Sequence, residues 1–253
     1  MNTSTSPTTP AIPAIRRQVL VSCDPAAAYD LFWRHIGAWW PIESLGCFGA
    51  GSSVALDGDR IVETGPTGET AVWGTLIDAD EPRSVSFTWH PGRDADRASR
   101  VAVAFAPAGD ATLVTLEHDG WEVYADPAAA RAEYAGGWLG VLDRFAEAGP
   151  ADPARGELWL VLEHTAASGR AGTVFADPDF PRHLAFLRTL ADRGLLVAAG
   201  PLPDQPGNGM AIVRASDAAT AADVVVAAQR DDGSVVAGLL DVRVRPWQVA
   251  LAG

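Results

Sequence analysis

The sequence predicts an α+β fold in two parts, a curved antiparallel sheet gripped by one long helix and then a βαββαβ unit. Three observations carry this. Short runs of alternating apolar residues recur between Ile15 and His118, and one apolar stripe of helical period ends that stretch near Glu147. Beyond a proline-containing break, strand and helix patterns alternate again to the C-terminus.

The elements follow in order. Ile15 to Ser22 alternates as a strand, with Ile15, Arg17, Val19 and Val21 on one side and Arg16, Gln18, Leu20 and Ser22 on the other. Asp24-Pro25 supplies an N-cap and a first-turn proline, predicting a short helix from Ala26 to Ile36. Ser52 to His118 reads as an antiparallel meander whose strands carry Val85, Phe87 and Trp89, then Val101, Val103 and Phe105, then Thr112, Val114, Leu116 and His118 on single faces. By the same parity His90 points outward and His118 inward. A second Asp-Pro pair, Asp126-Pro127, opens a helix to about Glu147, where Tyr134, Trp138, Val141, Leu142 and Phe145 form one stripe. Such a helix can cover the concave face of the sheet.

Residues 1–11 read as a disordered tail, 12–148 as the first domain, 149–156 as a linker and 157–253 as the second domain. In the second, strands are expected at Leu158–Glu163, Leu195–Ala199, Met210–Arg214 and Val235–Val244. Helices are expected at Phe180–Arg193 and from Asp217 to about Gln229. The order βαββαβ is ferredoxin-like.

Composition narrows the function. Of 253 residues, 48% are hydrophobic and 20% charged, enough apolar material for two cores. The net charge of −13 and the lack of a basic run exclude a nucleic-acid-binding reading. No apolar stretch approaches the ~18–20 residues that span a bilayer, and the first ten residues have no signal-peptide pattern, so a cytoplasmic protein is expected. Cys23 and Cys47 make no disulfide framework. His35, His90, His118, His164 and His183 show no short-range ligand spacing, so no metal is expected. Without a glycine-rich phosphate loop or serine nucleophile elbow, no cofactor is expected either.

Four segments carry a first resemblance: the strand leading into Asp24-Pro25, RSVSFTWH at Arg83 to His90, TLVTLEHDGW at Thr112 to Trp121, and YAGGWLGVLDRF at Tyr134 to Phe145. Through them residues 12–148 resemble the SRPBCC superfamily, in its branch named for activators of the Hsp90 ATPase. The resemblance implies a helix-grip (START/SRPBCC-like) domain and no transferable catalytic motif. A second resemblance rests on RHLAFLRTLADRGLLVAAGPL at Arg182 to Leu202 and DDGSVVAGLLDVRVRPW at Asp231 to Trp247. Through these, residues 157–248 are similar to YCII-related proteins. That implies a ferredoxin-like domain of the dimeric α+β barrel type, a homodimer through it, and an acid–base dyad at His183 and Asp232. Those relatives follow the aspartate with proline and an aromatic, whereas this chain has Gly233 and Ser234, a departure that bears on the shape of the pocket.

Read from the residues alone, His183 borders the apolar stripe of its helix. It is either a tunable general base or a histidine satisfying a buried hydrogen bond. Asp231 reads as an ordinary solvated turn. Trp39, Trp40, Trp89, Trp121 and Trp138, with His118, either line an apolar cavity for a hydrophobic small molecule or fill the core. Three functions stand: a small-molecule lyase, isomerase or hydrolase; a non-enzymatic ligand-binding or resistance protein dimerised by its second domain; and a co-chaperone-like partner binder, the weakest.

Overall fold

A computed structural model describes residues 12–150 and 155–250; the expected tail and the centre of the expected linker lie outside them. The chain begins with β1 (Ile15–Val21) and α1 (Pro25–Tyr29), followed after one widened and one 3₁₀ turn by α2 (Ile42–Leu45). Strands β2 (Ser53–Asp57), β3 (Arg60–Thr64), β4 (Thr70–Asp80), β5 (Ser84–Trp89), β6 (Ser99–Ala108) and β7 (Ala111–Asp119) come next, and α3 (Pro127–Glu147) closes this half. The seven strands form one antiparallel sheet in the order β1-β7-β6-β5-β4-β3-β2. The Asp-Pro starts work as the residue types require: Asp24 accepts a hydrogen bond from Ala27 N–H at 2.8 Å and Asp126 one from Ala129 N–H at 3.0 Å. Helix α3 lays Trp138, Val141, Leu142 and Phe145 into a core with Val85, Phe87, Val101, Val103, Phe105, Val114 and Leu116 of the sheet.

The second half runs β8 (Arg155–Ala166), α4 (Phe180–Asp192), β9 (Leu196–Pro201), β10 (Gly209–Asp217), α5 (Ala218–Arg230), α6 (Gly233–Val236) and β11 (Leu240–Trp247). Its four strands form an antiparallel sheet in the order β11-β8-β10-β9. Leu158, Leu160, Leu162, Ala211, Val213, Ala215, Val242 and Val244 face α4 and α5, and the strand residues of opposite parity do not join this core.

Three expectations change. The helix expected from Ala26 to Ile36 is broken: α1 ends at Tyr29, a widened turn follows in which His35 N–H reaches Asp30 O at 3.1 Å, and Ile36–Ala38 tightens into a 3₁₀ turn. The chain here passes hard against β2, since a Cβ on Gly37 would lie 2.4 Å from Val54 O, so only glycine fits. The last strand begins at Leu240 rather than Val235, because Asp232 accepts from Ser234 N–H at 3.0 Å and starts α6 instead. His90 is buried rather than outward-facing: β5 ends at Trp89, strand parity ends with it, and His90 Nδ1 lies 3.1 Å from Arg93 O.

The two sheets meet through a reciprocal pair of glutamines. β1 and β11 are edge strands, and an edge strand carries unpaired backbone groups. Gln18 N–H donates to Gln229 Oε1 at 2.9 Å, and Gln229 Nε2 donates to Gln18 O at 2.8 Å. The Gln18 side chain does the same for β11: Nε2 donates to Val244 O at 2.9 Å, and Oε1 accepts from Val244 N–H at 2.7 Å. Around them Leu20, Ala108, Ala111 and Leu113 of the first sheet join α4, α5 and the second sheet in one core. Replacing Gln18 by Leu orphans two buried backbone groups at 1–3 kcal/mol each. Gln18→Leu is therefore expected to lose about 2–4 kcal/mol in urea unfolding, and Gln18→Glu, whose second carboxylate oxygen would face Val244 O in a buried site, loses at least as much.

Candidate functional site

The second half brings three titratable side chains together from distant parts of the chain. His164 lies near the end of β8, opposite Gly209 of β10 and Val242 of β11. His183 stands in the first turn of α4, where backbone N–H groups lack helical partners. Its own N–H donates to Ser234 Oγ at 3.0 Å, and that hydroxyl donates on to Asp179 O at 2.8 Å. Asp232 caps α6 through Oδ1, which leaves Oδ2 for the histidines. Ser234, which departs from the expected pattern, thus fixes the start of α4. Gly233 is required beside it, since a Cβ there would lie 2.8 Å from Cβ and Cδ of Arg182.

His183 Nδ1 is 2.6 Å from Asp232 Oδ2, with Asp232 fully buried. His164 Nε2 is 3.5 Å from the same oxygen but lacks hydrogen-bond geometry, so this buried nitrogen has no partner among the described residues. The two imidazole rings lie 4.4 Å apart, centre to centre. Burial alone would raise the Asp232 carboxyl; contact with His164 and His183 outweighs it and holds Asp232 well below the usual carboxylate range. Burial pushes His164 down, against the pull of Asp232. Both histidines border a cavity of about 250 Å³ walled by Phe175, Phe180, Leu184, Leu187, Pro201 and Met210, with no charged side chain on its wall other than these imidazoles when protonated. Sequence spacing pointed away from any such cluster. The one available signal for His164 was its strand parity with Leu158, Leu160 and Leu162.

The first half distributes the other candidate residues unevenly. Trp40, Trp89 and Trp138 border a largely apolar cavity of about 450 Å³ beside the middle of α3, together with Cys47, Tyr134 and Val141. The space between sheet and helix is otherwise packed: Trp40 stands 5.2 Å from Trp73, 5.4 Å from Trp89 and 6.0 Å from Trp138. Trp39 packs on Phe32 and Phe145 and borders a different hollow, near Arg144 and Glu147. Trp121 and His118 are buried away from this cavity. Sequence reasoning did not single out Glu63, a buried carboxylate that accepts from Cys47 N–H, Phe48 N–H and Trp73 Nε1 at 2.7, 3.0 and 2.9 Å. Burial pushes its carboxyl up, and these donors more than reverse that. Glu63 so anchors the loop at the cavity mouth.

His118 has a settled role in packing. Trp138 Nε1 can only donate and gives its proton to His118 Nδ1 at 2.9 Å, so the His118 proton sits on Nε2. That nitrogen reaches Ser99 Oγ at 2.8 Å, and Ser99 Oγ donates to Trp89 O at 3.0 Å. Burial lowers the His118 pKa to about 3. Its folded value lies below its unfolded value, so the unfolded chain takes up a proton first as pH falls. The stability is complete above about pH 6.5 and is lost progressively toward pH 3. We expect urea unfolding to show a loss of roughly 3 kcal/mol between pH 7 and pH 4 from this group. His118→Gln, which does not titrate, should flatten that part of the profile.

Residues 34–149 match the family model described as activator of Hsp90 ATPase homolog 1-like protein. The match runs from the widened turn through the meander and α3. Among curated proteins, none matches the chain. Similar solved structures include the self-sacrificing resistance protein CalC from Micromonospora echinospora, at 24% identity, 55% of this chain, 98% of that chain and a TM-score of 0.42. An anthrahydroquino-gamma-pyrone synthase, Txn09, aligns at 27% identity over 56% of this chain and 99% of its own, with a TM-score of 0.39. A protein from Bacillus halodurans aligns at 17% identity over 55% and 99%, with a TM-score of 0.41. No helix among the described residues is long and apolar enough to cross a membrane.

Proposed function

We propose that the chain processes an uncharged, largely apolar small molecule, with His183 as general base or acid and Asp232 as the group that orients it. One observation carries this reading: the 2.6 Å contact of His183 Nδ1 with a buried carboxylate at the wall of an apolar cavity. With Nδ1–H donating to ionised Asp232, the lone pair is on Nε2, which has no protein partner among the described residues. An imidazole so held can take a proton from a substrate carbon or from water and return it to a leaving oxygen, the core of lyase, isomerase and hydrolase chemistry. The chain contains no lysine, which removes imine formation as an alternative. The cavity wall offers no arginine to bind an anionic substrate. The β11-β8-β10-β9 order and the placement of this pair support a ferredoxin-like, YCII-related second domain. The first domain, read as a helix grip, would hold a flat hydrophobic ligand against Trp40, Trp89 and Trp138.

The test is turnover of a panel of uncharged aryl esters, lactones and enolisable ketones by chelator-treated protein. His183→Ala is expected to lower kcat/KM by about 10²–10⁴ while the melting transition stays cooperative. Asp232→Asn keeps the α6 cap through its amide oxygen and should lose rate through the wrong tautomer. Full turnover by folded His183→Ala would overturn the reading.

Assembly belongs to the same proposal. The face of the second sheet opposite α4 and α5 leaves Val197 50% and Trp247 43% exposed, with Trp159 edge-on to Trp247 at 5.9 Å. The first half packs on the helical side and meets this face at its β11 edge, where Ala106 to Gly109 share a hollow with Trp159 and Trp247. A second copy pairing through this face gives the cover a one-sided sheet needs. Light scattering at micromolar concentration is expected to give twice the chain mass, and Trp247→Asp the mass of one chain.

A further inference from the structure

The proton relay leaves one feature unexplained. His164 Nε2 is buried in the same cluster, stands 3.5 Å from Asp232 Oδ2, and makes no hydrogen bond with the described residues. A polar atom in that condition costs about 1–3 kcal/mol unless something binds it. One ligand atom from each of His164, His183 and Asp232 lies within 4.8 Å of the other two, and all three residues are buried. We propose that these three atoms form a binding site for a divalent transition-metal ion of the zinc type.

Donor chemistry, spacing and support argue for it. Two imidazole nitrogens and one carboxylate oxygen suit borderline ions such as Zn²⁺ and Co²⁺, and they disfavour Mg²⁺ and Ca²⁺, which prefer oxygen. In a four-coordinate zinc site with bonds of about 2.0–2.1 Å, neighbouring donor atoms are about 3.3 Å apart. The two separations to Asp232 Oδ2, 2.6 and 3.5 Å, bracket that spacing, and the histidine donors lie within 4.8 Å of each other, so side-chain rotation would close the set around an ion. The ligands are also held from behind: Asp232 Oδ1 is engaged by Ser234 N–H, and the backbone of His183 by Ser234 Oγ. Three protein ligands leave at least one position open, the composition of a reactive site rather than a structural one. The adjoining cavity of about 250 Å³ could supply the remaining ligand as water or substrate. This goes beyond the dyad reading, because the ion would take the place that the Nδ1 proton holds. Proton-carrying and metal-loaded forms are alternatives at one site.

The full-length protein, stripped with a chelator, would be titrated with Co²⁺ and followed by visible absorption without any substrate. One equivalent should bind with d–d bands of a four- or five-coordinate ion, and Zn²⁺ should displace it. His164→Phe and Asp232→Asn, each verified by a cooperative melt, should weaken binding by at least about 100-fold. Absence of a one-equivalent transition in the wild type overturns the proposal, as does unchanged affinity in folded His164→Phe. The dyad reading is judged separately, by turnover in the chelator-treated protein, so either can fail without the other.

Discussion

Two open sheets in one chain must each dispose of an exposed edge, and the rest of this architecture depends on how that is done. Gln18 and Gln229 each present an amide whose donor and acceptor imitate a neighbouring strand, one to β11 and the other to β1. A hydrophobic contact alone can slide; four directional hydrogen bonds cannot without orphaning buried groups. The pairing therefore fixes β11 at Val244. Two residues earlier Val242 lies opposite His164 on β8, and just before the strand the chain turns through α6, whose cap is Asp232. The register of the edge strand and the position of the carboxylate are one constraint.

The buried histidines show why burial alone does not identify a reactive group. His118 is as deeply buried as any side chain, yet both nitrogens have partners and its proton has one stable position. It unites strands β6 and β7 with α3 and leaves no valence for a ligand. His164 is buried to a similar degree with one nitrogen that has no partner among the described residues, and His183 has one nitrogen committed and none of the described residues bonded to the other. Chemistry is expected where a polar atom is withdrawn from water and not repaid. That criterion separates His118 from His164; in the first half it also marks the indole nitrogens of Trp40, Trp89 and Trp121, the first two belonging to residues that border the cavity.

Much of the fold was legible in the sequence because its signals are local. Alternation located the strands, and Asp24-Pro25, Asp126-Pro127 and Asp217 marked helix starts through contacts only three residues long. Local reasoning failed where a local rule stopped applying: parity could not place His90 once β5 had ended, and Asp232 with Ser234 made a turn where apolar residues suggested strand. What no window could reveal was long-range. The Gln18–Gln229 contact spans 211 positions, and His164 meets Asp232 across 68. His183 and Asp232 entered through a resemblance, whereas His164, equally close to the carboxylate, had only its strand parity to mark it.

The aromatic half poses the opposite problem, because its residue types suggested more cavity than the packing leaves. Nine tryptophans supply large rigid surfaces, and one of these can serve a wall or a core equally well. In this chain the choice follows position along α3. Toward its C-terminal end Phe145 closes on Phe32 and Trp39, leaving edge-to-face contacts near 5.2 Å. At its middle the small residue Gly137, beside Trp138 and bordering the same cavity as the loop held by Glu63, leaves room that the indoles do not fill. The volume open to a ligand is thus set less by the tryptophans than by the gaps between them. Enlarging Gly137 would be felt at that opening before any indole had to move.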